Sequence, residues 1–187
     1  MVPKFVFIVT ALLVQPIAAA AELSDSSNYR EYSDSFASAG QPTAAQLENA
    51  AELGFERVIY LAFTDDHTAI ENEDSIVKKL GMEYIHIPVD FGDPTVNDFK
   101  LFARVIEGKD APKTLLHCQV NFRASTFSFL YRVIILQDPI LGAKEDLDTV
   151  WVPNETWFRF IRAVFDDYQM SHACDGCDWG ENEFIDD

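Results

Sequence analysis

The chain has 187 residues, enough for one domain with a proper core and too few for two comfortable ones. Apolar residues make up 48% and aromatics 13%, which excludes a disordered acidic tail as a description of the whole. The formal net charge of −17 repels phosphate backbones and anionic lipid surfaces, so nucleic-acid and membrane-surface binding lose their electrostatic driving force.

In chain order, Met1 to Lys4 carries one positive charge, Phe5 to Val14 is an apolar run, and Ala18 to Ala21 follow a Gln15-Pro16 break. That layout is expected of a cleavable export signal over residues 1–21, and the apolar run is too short to span a bilayer. The expected localisation is therefore periplasmic or secreted. Residues 22–35 are polar and expected to be loose, and a single domain is expected over 36–170.

Within that domain, strand and helix signals alternate. Thr43 and Gln46 form a capping box for a helix carrying Leu47, Ala50, Ala51 and Leu53, with Gly54 as its left-handed stop. Arg57 to Ala62 reads as a buried strand, 73–80 as a helix stopped by Gly81, and Tyr84 to Val89 as the next strand. Thr95 caps a helix with Phe99, Phe102, Ala103 and Ile106 on one face. Thr114 to His117 is a short strand, and Ala124 to Leu136 an apolar helix directly after it. Asn154 caps a last helix, with Trp157, Ile161, Val164, Phe165 and Tyr168 inward. The alternation predicts an α/β fold with a mainly parallel central sheet flanked by helices. Ligands of such sheets bind where a strand turns into a helix at its carboxyl end.

One such turn is His117-Cys118-Gln119-Val120-Asn121-Phe122-Arg123-Ala124-Ser125. Inward-pointing amides and the positive end of the helix dipole stabilise a thiolate at Cys118. Arg123 adds a planar, permanently charged fork suited to two oxygens of an oxyanion. A sulfur nucleophile in an amide-and-arginine cradle suits attack on phosphorus or on sulfur.

This stretch resembles the active loop of cysteine-dependent phosphatases of the tyrosine and dual-specificity type. More closely, the chain is similar to the bacterial phosphatase-like domain family found alone or fused to β-lactamase-type hydrolases. The landmarks, over about residues 36–165, are Ala39-Gly40-Gln41-Pro42-Thr43, Gly81 to Val89, Asp93-Pro94-Thr95 and His117 to Ser125. The resemblance implies the three-layer phosphatase fold, Cys118 as nucleophile and Arg123 as anion clamp, with Gln119, Val120, Asn121 and Phe122 forming the anion-binding loop. It also implies a proton donor on the loop before the helix that precedes the nucleophile strand. Asp90, at a strand end, is preferred there over Asp93, which sits at a helix start. His117 is expected to orient the loop, and Ser125 either serves the thiolate or faces its own helix.

Two departures stand out. Phosphatases of this class place five residues between cysteine and arginine, whereas here there are four, Gln119 to Phe122. Four is the length seen in rhodanese-type sulfurtransferases. The loop also lacks the usual glycine. The leading expectation is an exported phosphatase acting on a small oxyanion ester or a phosphorylated protein. The alternatives are a sulfurtransferase carrying a persulfide on Cys118, and a non-catalytic phospho-ligand binder. None of these requires a metal or an organic cofactor.

The acidic tail, residues 171–187, contains Cys174-Asp-Gly-Cys177. Two thiols so close in an exported chain are expected to form a local disulfide. A pair exchanging with Cys118, or a zinc site with His172, are the competing readings.

Overall fold

The four-residue runs FASA, RVIY, EYIH and TLLH form β2 (Phe36–Ala39), β3 (Arg57–Tyr60), β4 (Glu83–His86) and β5 (Thr114–His117) of a five-stranded sheet. The sheet order is β1-β2-β5-β3-β4, parallel throughout except for β1 (Arg30–Ser33), which pairs antiparallel with β2. Among the described residues, six helices complete the three-layer α/β fold: α1 (Ala44–Glu52), α2 (Glu73–Lys79), α3 (Val96–Ile106), α4 (Phe122–Ile134), α5 (Ile140–Asp148) and α6 (Glu155–Asp167). The structure, a computed structural model, describes residues 21–108 and 111–180. Apart from Ala21, the expected export signal lies outside the described residues, as does the end of the acidic tail (181–187).

Alternation along the strands divides the core. Val58 and Leu115 face one side, where they pack with Leu47 and Ala50 of α1 and Val77 of α2. Ile59 and Leu116 face the other, with Phe99, Phe102, Phe127, Trp157 and Phe165 of α3, α4 and α6. Phe127 lies edge-on to Phe102 (5.5 Å) and Phe99 (6.0 Å). Its truncation to alanine is worth about 3–5 kcal/mol.

The expected caps at Thr43, Thr95 and Asn154 are all present. The segment 22–35 is a correction: it is ordered. A 3₁₀ turn over Leu23–Asp25 buries Leu23 completely, and β1 follows. Its polar groups find partners on α1, where Asn49 accepts from the Leu23 amide (2.9 Å) and Gln46 donates to the Glu22 carbonyl (3.2 Å). Polarity there reflects cross-segment bonding instead of looseness. Regular pairing of β4 ends before Pro88, which has no N–H to offer. The chain nevertheless stays tied to its neighbour through Ile87 N to Tyr60 O and Val89 N to Leu61 O, both 2.9 Å.

Candidate active site

β5 lies between β2 and β3 in the middle of the sheet, so the residue after it emerges between two neighbouring strands at their carboxyl ends. That residue is Cys118, a free thiol only 1% exposed, whose amide donates to the Ala39 carbonyl at the end of β2 (3.3 Å). The loop then runs against Gly40: the Gln41 amide donates to the Gln119 carbonyl at 2.9 Å. Peptide planarity turns the Val120 N–H the opposite way, off the scaffold. A Cβ on Gly40 would meet the Gln119 carbonyl at 2.9 Å and Ser27 Cβ at 2.8 Å, so only glycine allows this approach.

Asn121 closes the loop in the left-handed region (φ 73°), and α4 starts at the next residue. Asparagine tolerates that conformation better than other side chains, and here it does the conformational work of the missing glycine. Its Nδ2 donates to the Asn28 carbonyl (2.6 Å), so the amide braces the loop against the N-terminal segment.

Cys118, Gln119, Val120, Phe122 and Arg123, together with Phe91 from the β4–α3 loop, line a pocket of about 240 Å³. Its walls are mostly apolar. Phe122 stacks flat on Trp151 (4.5 Å, 3°), and Phe91 lies tilted against the same indole at 5.9 Å. Arg123 is the pocket's cation. It is 4% exposed, its guanidinium lies 5.4 Å above the Phe91 ring, and its Nε is buried without a hydrogen-bond partner. The carboxylate that faces it belongs to Asp66, with Oδ2 3.8 Å from an Arg123 terminal nitrogen. That is ion-pair distance but too long for a hydrogen bond, and Asp66 Oδ2 is buried without one. A buried guanidinium so sparsely bonded is unusual, because buried polar groups are otherwise paired.

The remaining residues singled out in the sequence take definite places. His117 is fully buried and stacked on Tyr60 (4.6 Å), which stacks in turn on His86 (5.3 Å), a ladder of rings across β5, β3 and β4. His117 Nε2 lies 3.1 Å from Glu73 Oε1, near enough to pair but not aligned as a hydrogen bond; the same oxygen accepts from Gln41 Nε2 at 3.1 Å. Burial, and then Glu73, Asp66 and Cys118, hold the Tyr60 phenol above its ordinary range, so it stays a neutral donor to the Phe63 carbonyl (3.0 Å). Ser125 Oγ donates to the Phe122 carbonyl (3.2 Å), which commits its proton to its own helix. Asp90 is exposed, and its Oδ1 accepts from the Gly92 amide at 2.8 Å. Its neighbour Phe91 is the residue of that loop that reaches the pocket wall. The Asp93 amide donates to the Asp90 carbonyl at 3.3 Å in the same turn.

A family model described as "DSP-PTPase phosphatase fused to NAD+ Kinase" matches residues 8–145. The chain belongs to this phosphatase family. The fusion partner named in that description is NAD+ kinase, not a β-lactamase-type hydrolase. Among solved structures, a DUF442 phosphatase from Shewanella putrefaciens CN-32 is 26% identical with a TM-score of 0.70, over 78% of this chain and 96% of that one. Tk-PTP in its active form (18%, 0.64) covers 74% of this chain and 97% of its own. The core catalytic domain of the PP-IP phosphatase SIW14 from S. cerevisiae (11%, 0.64) covers 77% and 90%. These two share the fold. A search of curated proteins finds no match.

For a phosphatase of this family, the Cys118–Arg123 loop is one residue short, and the structure shows how it closes: Asn121 makes the left-handed step and the helix begins at once. Asp66, Glu73 and Gln41 were not among the sequence candidates for the site. Gln41 belongs to a landmark motif, but its partner Glu73 is 32 residues away. Asp66 sits in an unremarkable acidic loop, 57 residues before Arg123. Away from the pocket, Cys174 and Cys177 are joined by a disulfide. No helix among the described residues is long and apolar enough to cross a membrane, and no group of three or more His, Cys, Asp or Glu side chains there is arranged to hold a metal ion.

Proposed function

We propose that the chain hydrolyses phosphate monoesters through Cys118. The observation that carries this reading is the Arg123 guanidinium, buried beside the only pocket-lining thiol with its Nε unpartnered among the described residues. The phosphoryl oxygens occupy the fork of Arg123 and the amides of the loop. The Cys118 thiolate attacks phosphorus from within the pocket; a sulfur–phosphorus bond forms and the ester oxygen–phosphorus bond breaks. Asp90, solvated and next to Phe91, gives the leaving oxygen its proton. The resulting Asp90 carboxylate then takes a proton from water as that water attacks the thiophosphoryl group. Phosphate leaves and the thiolate is restored. His117, braced by Glu73 and Tyr60, holds the end of β5 so that Sγ keeps its aim.

The apolar pocket walls favour a single phosphate on an apolar body, a small ester or a phosphorylated protein side chain. Two assays on purified protein test the reading: phosphate release from an aryl phosphate, and transfer of sulfur from thiosulfate to cyanide, each with Cys118→Ser as control. The expected result is phosphate release that vanishes in the variant, with no thiocyanate. Thiocyanate formed through a Cys118 persulfide, without phosphate release, would replace this function with sulfur transfer. Inactivity in both assays, with phosphate binding that Arg123→Ala abolishes, would make the domain a binder. Residues 1–21 are proposed to direct export to the periplasm or medium; N-terminal sequencing of exported protein is expected to start near Glu22, and a retained Met1 would refute it.

A further inference from the structure

We propose that Asp66 is a positioning residue that acts through Arg123: its carboxylate offsets part of the guanidinium charge and so sets how tightly the pocket holds an oxyanion. The inference rests on the anion site described above, and it concerns affinity instead of bond breaking.

Arg123 is held by contacts that leave its donors open. The Phe91 ring lies against its face at 5.4 Å, and Asp66 Oδ2 lies 3.8 Å from one terminal nitrogen. Neither contact is a hydrogen bond, and Nε has none. A carboxylate in direct hydrogen-bonding contact would occupy the fork. At this distance it attracts the cation without consuming a donor. The placement follows from topology. Asp66 lies on the loop after β3, and β3 is the direct neighbour of β5, with Tyr60 opposite His117. Asp90 follows β4, one strand further out. Asp66 therefore backs the arginine, with a side chain 25% exposed and its Oδ2 fully covered, while Asp90 stays in solvent.

The consequence is a trade between capture and release. An unopposed buried guanidinium would grip the phosphate product as firmly as it grips the ester. With the Asp66 carboxylate behind it, the incoming dianion meets a partly neutralised cation, and so does the departing product. Among the described residues that line the pocket, Arg123 is also the only Lys or Arg, so no second cation there masks this effect.

The test is titration of inorganic phosphate into the full chain by calorimetry, alongside aryl phosphate kinetics, for wild type, Asp66→Asn, Asp66→Ser and Asp66→Glu. Removing the charge is expected to tighten phosphate binding by about tenfold, a cautious reading of an ion pair at this distance that is partly open to water. KM is expected to fall with it while kcat does not rise, and Asp66→Glu is expected to restore wild-type values. Unchanged or weaker phosphate binding in folded Asn and Ser variants overturns the proposal. So does a loss of kcat confined to poor leaving groups with phosphate affinity unmoved, which would make Asp66 a proton donor. Failure of every form to bind phosphate overturns it as well. A wild type that binds phosphate but turns over no ester would contradict the hydrolase reading alone, since the affinity comparison can still be read.

Discussion

Lys144 and Arg123 are both more than nine-tenths buried in an acidic chain, at 1% and 4% exposure, yet their surroundings are opposite. Lys144 donates to the Asp148 carboxylate and the Asp178 carbonyl and sits 4.7 Å above the Trp179 ring. Its charge is fully answered, and what it does is fasten the tail: Trp179 packs edge-on against Phe129 and Phe158 (6.0 and 5.5 Å). Arg123 has an aromatic face, a carboxylate beyond hydrogen-bond range and an unpartnered Nε. A buried cation with its donors spent holds the fold together; one with donors open is free to take a ligand's oxygens. Asp148 shows what the fastener costs, since burial pushes its carboxyl above the ordinary range while Lys144 pulls it back.

Substitution separates the two roles. Arg123→Ala is expected to lower kcat/KM for an aryl phosphate by about 10³-fold, as loss of preorganised oxyanion donors does, with little change in melting temperature. A large drop in melting temperature with activity retained would make Arg123 another fastener. Asp90→Asn comes next, with an expected loss of about 10²-fold, the lower share of general acid catalysis, and loss of the acidic requirement in the pH–rate profile. The same change at Asp93 is expected to cost much less, and the reverse ranking would move the proton donor to Asp93.

On the structural side, Lys144→Met is expected to cost about 1–3 kcal/mol by denaturant titration with kinetics unchanged, since Asp148 is left partly exposed to water and not sealed in. Altered kcat there would couple the tail to the active loop. Replacing both Cys174 and Cys177 by serine is expected to cost at most about 2 kcal/mol, because their separation of three residues closes only a small loop. The smallest effect belongs to Asn121→Gly, about 1 kcal/mol, since glycine adopts positive φ without strain but gives up the Nδ2 bond to the Asn28 carbonyl; Asn121→Val loses the same bond and adds strain, and is expected to cost about 2–3 kcal/mol. Equal stability of the two variants would show that the left-handed step is not what shapes the loop.

What was legible beforehand was what the chain writes locally. Thr43 and Gln46 cap a helix three residues apart, and Cys118 and Arg123 share one turn between strand and helix, so their neighbourhood follows from spacing. The strand and helix alternation gave the sheet class for the same reason. The hidden parts are those made by distant partners. Residues 22–35 look loose because the groups that order them, Gln46 and Asn49, sit on α1. Asp66 looks like any loop aspartate until β3 is placed beside β5, and Glu73 until Gln41 and His117 converge on it. Asp90 reads as a strand-end residue in the sequence, but β4 ends at His86, and Phe91 is the residue of that loop that meets the pocket.

Hydrolysis through Cys118 requires a transient bond between its sulfur and phosphorus. Wild-type protein mixed rapidly with an aryl phosphate and quenched in acid within the first turnover is expected to yield a peptide containing Cys118 heavier by one phosphoryl group. Cys118→Ser, treated identically, is expected to yield none. Phosphate released at the same rate by both forms, with no modified Cys118 peptide at any quench time, would contradict the account.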